Sequence, residues 1–211
     1  MTSIKYPRTP HMPFSPGYSY DDEQLNDLAG FDGQEIVVTE KMDGENTTLY
    51  TDHWHPRGLE NRRRHESRDW MARRWANTAH LMKPGMRVCG ENLYAKHSIH
   101  YSFLPDWFLG FSVWNQDNDC LSWDATLEVF TELDVKPVPV LYRGPFSFEA
   151  LTQISGSLNL QKQEGMVARI AGQFPYSKFP IYVAKWVRAN HVQTDTKGHW
   201  FSQKVTKNDL K

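Results

Sequence analysis

Glu40-Lys41-Met42-Asp43-Gly44-Glu45-Asn46, entered through Ile36-Val37-Val38 and left through Thr47-Thr48-Leu49-Tyr50, puts a lone lysine at the end of an apolar run. The flanks predict two strands, 35–41 and 46–51, joined by a turn in which Gly44 lets the backbone bend tightly. An amine partly buried there loses hydration of its charged form. Its pKa falls, and a neutral nucleophile comes within reach at physiological pH. Asp43 and Asn46 set one carboxylate and one amide beside the amine. Two readings stand on this stretch alone: a lysine that becomes covalently attached to its substrate, and a surface lysine in a hairpin turn.

Four later segments, taken in order, separate these readings. Arg87-Val88-Cys89-Gly90-Glu91-Asn92-Leu93-Tyr94 ends a strand in a glycine and a carboxylate, and Phe108-Leu109-Gly110-Phe111-Ser112-Val113-Trp114 is an aromatic strand. Glu164-Gly165-Met166-Val167-Ala168-Arg169 opens a strand with a carboxylate and a glycine, and Val183-Ala184-Lys185-Trp186-Val187-Arg188 sets a second lysine in an apolar strand. In this order and spacing the five segments resemble motifs I, III, IIIa, IV and V of the covalent nucleotidyltransferases. That superfamily contains ATP-dependent DNA and RNA ligases and mRNA capping enzymes. The detail is most similar to the RNA ligase branch, whose motif I pattern, K-x-D/H-G-x-N, is met through Asn46, and the resemblance spans residues 35–190.

The resemblance implies roles residue by residue. Lys41 corresponds to the lysine that attacks the α-phosphorus of ATP and holds AMP, with a divalent cation, Mg2+ or Mn2+, neutralising the triphosphate. Lys185 corresponds to the α-phosphate lysine of motif V, and its charge is expected to push the Lys41 pKa further down. Glu91 corresponds to the carboxylate that receives the ribose hydroxyls, Phe111 to the aromatic that stacks on adenine, and Glu164 to the carboxylate that holds metal and its waters. Asp43 and Glu91 stand as outer partners of that metal, mainly through water. Glu40 occupies a position that reaches the adenine edge through its backbone, and Asn46 completes the nucleotide set. Arg57 is the first choice for the arginine that follows motif I and binds ribose or phosphate, with Arg68 the second. The sequence departs from the branch in motif V, where a second lysine is replaced by Val187. Arg188 beside it is the candidate substitute.

Composition bounds the rest. A chain of 211 residues, 39% hydrophobic and with eight tryptophans, can bury a substantial core. It contains no internal repeat, Gly/Ser linker or low-complexity tract, and no apolar run approaches the roughly 18 residues that span a bilayer. Met1 to Tyr20 is proline-rich without an apolar signal core, and only Cys89 and Cys120 are present, so a reducing, cytoplasmic setting is expected. The net charge of −1 is low for a nucleic-acid protein. Seven arginines against three acids between Arg57 and Arg74 nevertheless concentrate positive charge locally. Arg62, Arg63, Arg64, Arg68 and Arg188 are the candidate nucleic-acid contacts. A solvated helix face is the other reading of that cluster. The histidines do not follow a zinc-site spacing.

Periodicity predicts a short helix over 21–29 with Leu25 and Leu28 inward, and a helix capped by Ser67 and running to Met82. Two more follow Ser122 and Ser147, the last with Phe148, Leu151, Ile154 and Leu158 inward. Further strands are expected near 87–93, 107–114, 138–142, 165–171 and 181–188. The fold class expected is α+β, antiparallel sheets flanked by helices, an adenylation domain of the nucleotidyltransferase, ATP-grasp-like kind. The expected division is 1–34 as an extended segment and short helix packed on the domain, 35–190 as the domain itself, and 191–211 as a tail with no OB-fold. The activity implied is ATP-dependent RNA ligation through a lysyl-AMP, joining a 5′-phosphate RNA end to a 3′-hydroxyl in RNA repair. A DNA ligase, a guanylyltransferase or a non-catalytic nucleotide- or RNA-binding module are the alternatives.

Overall fold

The computed structural model describes residues 2–59, 65–189 and 205–211. The strands are β1 (Glu35–Lys41), β2 (Glu45–Leu49), β3 (Trp54–Pro56), β4 (Arg87–Asn92), β5 (Phe108–Trp114), β6 (Asp119–Cys120), β7 (Lys136–Pro137), β8 (Val140–Pro145), β9 (Gly165–Ile170), β10 (Phe174–Pro175) and β11 (Val183–Val187). The helices are α1 (Glu66–Ala79), α2 (Trp123–Glu132), α3 (Phe148–Ser157) and the single turn α4 (Phe179–Tyr182). Two sheets result. One runs β11-β9-β1-β8; the other runs β10-β6-β5-β4-β2-β3, with β7 beside β5. Every strand pairing is antiparallel except the two-residue β5–β7 contact. Antiparallel sheets with helices packed outside make this an α+β fold.

Ile36, Val37 and Val38 are all fully buried, which a strand achieves only when both faces of its sheet are covered. Ile36 and Val38 join Met166, Ala168, Ala184 and Trp186 in a core that includes Leu28, Phe31 and Leu151. Val37 belongs instead to a cluster with Leu93, Leu109 and Trp123. Each such side chain contributes about 1.5–3 kcal/mol of burial. Pairing within the first sheet sets Thr39 opposite Val167 and Val167 opposite Lys185, while Lys41 faces Gly165 and Gly165 faces Val187. Residues two apart on a strand share a face. Thr39, Lys41, Val167, Lys185 and Val187 therefore line one side of the sheet together.

Several elements differ from expectation. Residues 21–28 form no helix, and only Ala29–Phe31 makes a 3-10 turn. Their backbone is committed elsewhere: Gln24 bridges His11, and Leu25 N–H donates to the His11 carbonyl. The cap of α1 is His65, whose Nδ1 accepts from Ser67 N–H, and the helix stops at Ala79 although Met82 remains buried. Ser122 and Ser147 cap α2 and α3 through their side chains. Phe148 points outward, 53% exposed, and packs edge-on against Phe14. β8 begins only at Val140, after Pro137 and Pro139, which have no N–H for a ladder. Residues 181 and 182 close the turn α4 instead of opening the last strand. Arg62, Arg63 and Arg64 lie outside the described residues. No helix among the described residues is long and apolar enough to cross a membrane.

Both chain ends pack back onto the sheets. Pro10 to Gly17 runs along the outer edge of β11. Residues 206–211 clamp the 94–104 loop, with Asn208 buried at the centre. Its amide donates to the Leu93 carbonyl, its Oδ1 accepts from Tyr101 N–H, and its backbone carbonyl accepts from Trp107 Nε1.

Candidate active site

A cavity of about 930 Å3 opens between the two sheets. Its first-sheet wall is the face derived above, Thr39, Lys41, Val167, Lys185 and Val187, joined by Arg169 and Val183. The second sheet brings Asn46 of β2, Glu91 of β4 and Phe111 of β5. Asn46 and Glu91 are direct partners across the β2–β4 ladder, so residues far apart in sequence share one spot.

Lys41 is held by Glu164. Its Nζ lies 2.5 Å from Glu164 Oε1, and that carboxylate is only 2% exposed. The register explains the contact, because Gly165 sits opposite Lys41 and delivers the preceding Glu164 to its side. A Cβ at residue 165 would meet the Trp186 carbonyl oxygen at 2.0 Å, so only glycine lets β9 and β11 approach here. Gly44 serves similarly. A Cβ there would lie 2.6 Å from the Asn92 carbonyl oxygen, so close strand approach, not an unusual dihedral, requires it.

The expected fall of the Lys41 pKa is not found. Burial does lower it, but Glu164, Glu91 and Asp43 together outweigh burial and raise the amine above its ordinary value. Without nucleotide, Lys41 is an ammonium. Glu91 answers in kind. Burial first, then Glu164 and Asp43, push its carboxyl up to about 8, while Gly44 N–H donates to its Oε1. Lys185 moves the opposite way from Lys41: burial lowers its pKa, Asp22 partly opposes this, and Lys41 lowers it again.

Asp43 has a structural task. Its Oδ2 accepts from Ser98 N–H, Ser98 Oγ and Ile99 N–H, and its own N–H donates to the Tyr101 hydroxyl. Glu40 turns its carboxylate to Gln163 Nε2 at 2.9 Å and also lines the cavity. Arg57 and Arg68 both reach the cavity. Arg68 is paired with Glu45 at 2.6 Å, whereas Arg57 Nε and Asn46 Oδ1 are buried there with no hydrogen-bond partner. Such orphaned polar atoms suit a polar ligand. Arg188 is not brought to the cavity; its guanidinium donates to the Leu160 carbonyl at 2.7 Å.

Among the described residues no group of three or more His, Cys, Asp or Glu is disposed to hold a metal ion directly. The carboxylates still fit a hard cation as oxygen donors acting through its water. Asp43 Oδ2 is already satisfied, and Glu164 is held by Lys41, so they suit a cation arriving with phosphates better than a prebuilt cage.

The model of the family described as RNA ligase matches residues 34–187, which is most of the chain and contains the quoted motifs up to Val187. The chain belongs to the RNA ligase family. No curated relative matches it. Among solved structures, Naegleria gruberi RNA ligase with PPi is 21% identical over 90% of this chain and 62% of its own, with a TM-score of 0.59. A variant of that ligase with ATP and Mn is 20% identical over 77% and 52%, TM-score 0.55. An archaeal ATP-dependent RNA ligase is 14% identical over 87% and 48%, TM-score 0.58. A protein described as an ATP-dependent DNA ligase from Aquifex aeolicus is 19% identical over 87% and 49%, TM-score 0.57. At these identities the likeness establishes the fold, and the chain spans about half to three-fifths of each relative.

Four cavity residues of this RNA ligase family member were given no role by the motifs. Tyr6 sets its ring edge-on to Phe111 at 5.1 Å. His11 and Asp22 stand beside Lys185, and Arg169 lines the same wall. A buried histidine at position 11, in a stretch that reads as surface, carries no sequence signal. The alternation of Arg169 with Val167 in an apolar strand was a usable one.

Proposed function

We propose that the protein is an ATP-dependent RNA ligase that forms a lysyl-AMP at Lys41. The observation that carries this reading is the Lys41–Glu164 contact of 2.5 Å inside a cavity that also receives Glu91, Phe111 and Lys185. A cavity of this size suits a nucleotide. Phe111 offers a stacking face for adenine. Glu91, once it gives up its proton, accepts the ribose hydroxyls. Asn46 Oδ1 and Arg57 Nε gain the partners they lack.

Before attack, Lys41 must lose a proton, and Glu164 is the acceptor in contact with it. A divalent cation, when bound, supplies charge that screens both the triphosphate and the carboxylates. With their pull reduced, the burial that opposes Lys41 protonation prevails. The amine then forms a bond to the α-phosphorus as the bond to the β-phosphate oxygen breaks, pyrophosphate departs, and the nitrogen releases a second proton. Lys185 would balance charge on the α-phosphate. An RNA 5′-phosphate would displace Lys41 from the adenylyl phosphorus, and a 3′-hydroxyl would then displace AMP to close the strand. Relatives whose structures carry ATP and Mn, or PPi, support a triphosphate substrate.

Mass spectrometry after incubation with ATP and Mg2+ tests the reading. An added AMP mapping to Lys41, with transfer to 5′-phosphorylated RNA in preference to DNA, is expected. An AMP on another residue, or none, overturns it; equal use of nicked DNA moves the substrate class to DNA.

A further inference from the structure

The N-terminal segment carries a side-chain chain that ends on Lys185. Lys185 N–H donates to the Pro10 carbonyl at 2.9 Å, and Met12 N–H donates to the Lys185 carbonyl at 2.7 Å. This pairing brings two residues from outside every motif into the cavity wall. Val187 N–H donates to Ser15 Oγ at 3.0 Å, and Ser15 Oγ lies 2.8 Å from His11 Nδ1. On the other side of the imidazole, Nε2 comes within 3.3 Å of Asp22 Oδ2 without hydrogen-bond geometry, and that oxygen accepts from Ser19 Oγ at 2.9 Å. Asp22 Oδ1 is 3.5 Å from Lys185 Nζ.

The protonation pattern of this chain follows from its surroundings. His11 is 1% exposed, and burial, then the Lys185 charge, lower its pKa to about 4. A neutral imidazole has one N–H. Asp22, acceptor only, calls for it at Nε2, which leaves Nδ1 to accept from the Ser15 hydroxyl. Ser19 Oγ holds the Asp22 carboxylate, and the backbone of β11 anchors one end of the chain. The other end is the ammonium whose surroundings also hold Lys41 and Glu164. A lysine side chain has many rotamers, and an ammonium without an anchor spends little time in any one of them.

We propose that Asp22, held by Ser19 beside His11, is a positioning residue for Lys185, anchoring its ammonium where the α-phosphate is transferred to Lys41. The inference rests on the adenylylation reading above, and the carboxylate acts only through Lys185. It does not touch the reacting atoms.

Single-turnover formation of the labelled protein–AMP adduct, at saturating ATP and Mg2+, tests this in a double-mutant cycle. Asp22→Asn is expected to slow the step about tenfold with little change in the ATP concentration needed, as loss of a transition-state contact does. Asp22→Glu, which keeps the charge, should recover to within about threefold of the parent. In a Lys185→Ala background, Asp22→Asn should slow nothing further. Circular dichroism checks that each variant is folded; if Asp22→Asn is not, Ser19→Ala takes its place in the same cycle. Equal slowing in both backgrounds, or an Asp22→Asn rate equal to the parent's, overturns the proposal. A parent protein that forms no adduct overturns the adenylylation reading instead.

Discussion

Lys41 and Lys185 project from the same face of one sheet, on the strands either side of β9, yet their surroundings push them apart. Both are desolvated. Lys41 faces Glu164, Glu91 and Asp43, and its amine is held charged; Lys185 has Asp22 close by and Lys41 as a like-charged neighbour, and its pKa falls. Burial alone would have moved both down. The difference teaches that the carboxylates converging on an amine, set largely by strand pairing, decide the direction in which its pKa moves. On the proposed reading the amine that attacks is the one stored as an ammonium, and neutralising those carboxylates would release it.

The sharpest way to break this comparison is to remove each amine in turn. Lys41→Ala should abolish the adduct, by at least about a thousandfold, while Lys185→Ala should leave a measurable residue about a hundredfold slower. Equal losses in the labelled-ATP assay would mean that the two lysines share one role.

A second test addresses the carboxylates. Glu91 in the folded protein holds its proton up to about 8, against 4.5 when unperturbed. Between those values the folded state binds more protons than the unfolded one, so stability falls as pH rises through this window. Glu91→Gln removes that contribution. Its stability should match the parent near pH 5 and exceed it by a few kcal/mol near pH 8, as an order of magnitude. Urea titrations across this range measure it, and parallel curves would show that the Glu91 carboxyl is not so perturbed.

The smallest effect is expected at a distance. Asn208 holds the loop whose Ser98 and Ile99 fix Asp43 beside Lys41. Asn208→Ala leaves Tyr101 N–H and the Leu93 carbonyl without their partner, a cost of about 1–3 kcal/mol in thermal or urea denaturation. Adduct formation should slow by less than for either lysine. A stable variant with unchanged kinetics would detach the C-terminal segment from the site.

Much of the domain could be read from residues alone because its signals are local. Ile36-Val37-Val38 and the serines at the starts of α2 and α3 each reflect the chain within a few residues. The candidate nucleotide residues Lys41, Glu91, Phe111, Glu164 and Lys185 do line one cavity, as expected from the order of their motifs. Expectations failed where a distant partner overrode the local pattern. Residues 21–28 gave up a helix to pair with His11, and Phe148 turned outward.

The sequence by itself determined most of the longer strands, that the sheets are antiparallel, and which side chains are the candidates for the chemistry. Periodicity and turn residues act over one or two turns of chain, so they are visible in one dimension. Only the tertiary structure decided the charge on Lys41, the company of Lys185 and the clamp at Asn208. Each depends on groups more than a hundred residues apart brought within hydrogen-bond distance. Electrostatic energy depends on that distance and on burial, and neither is written in the order of residues.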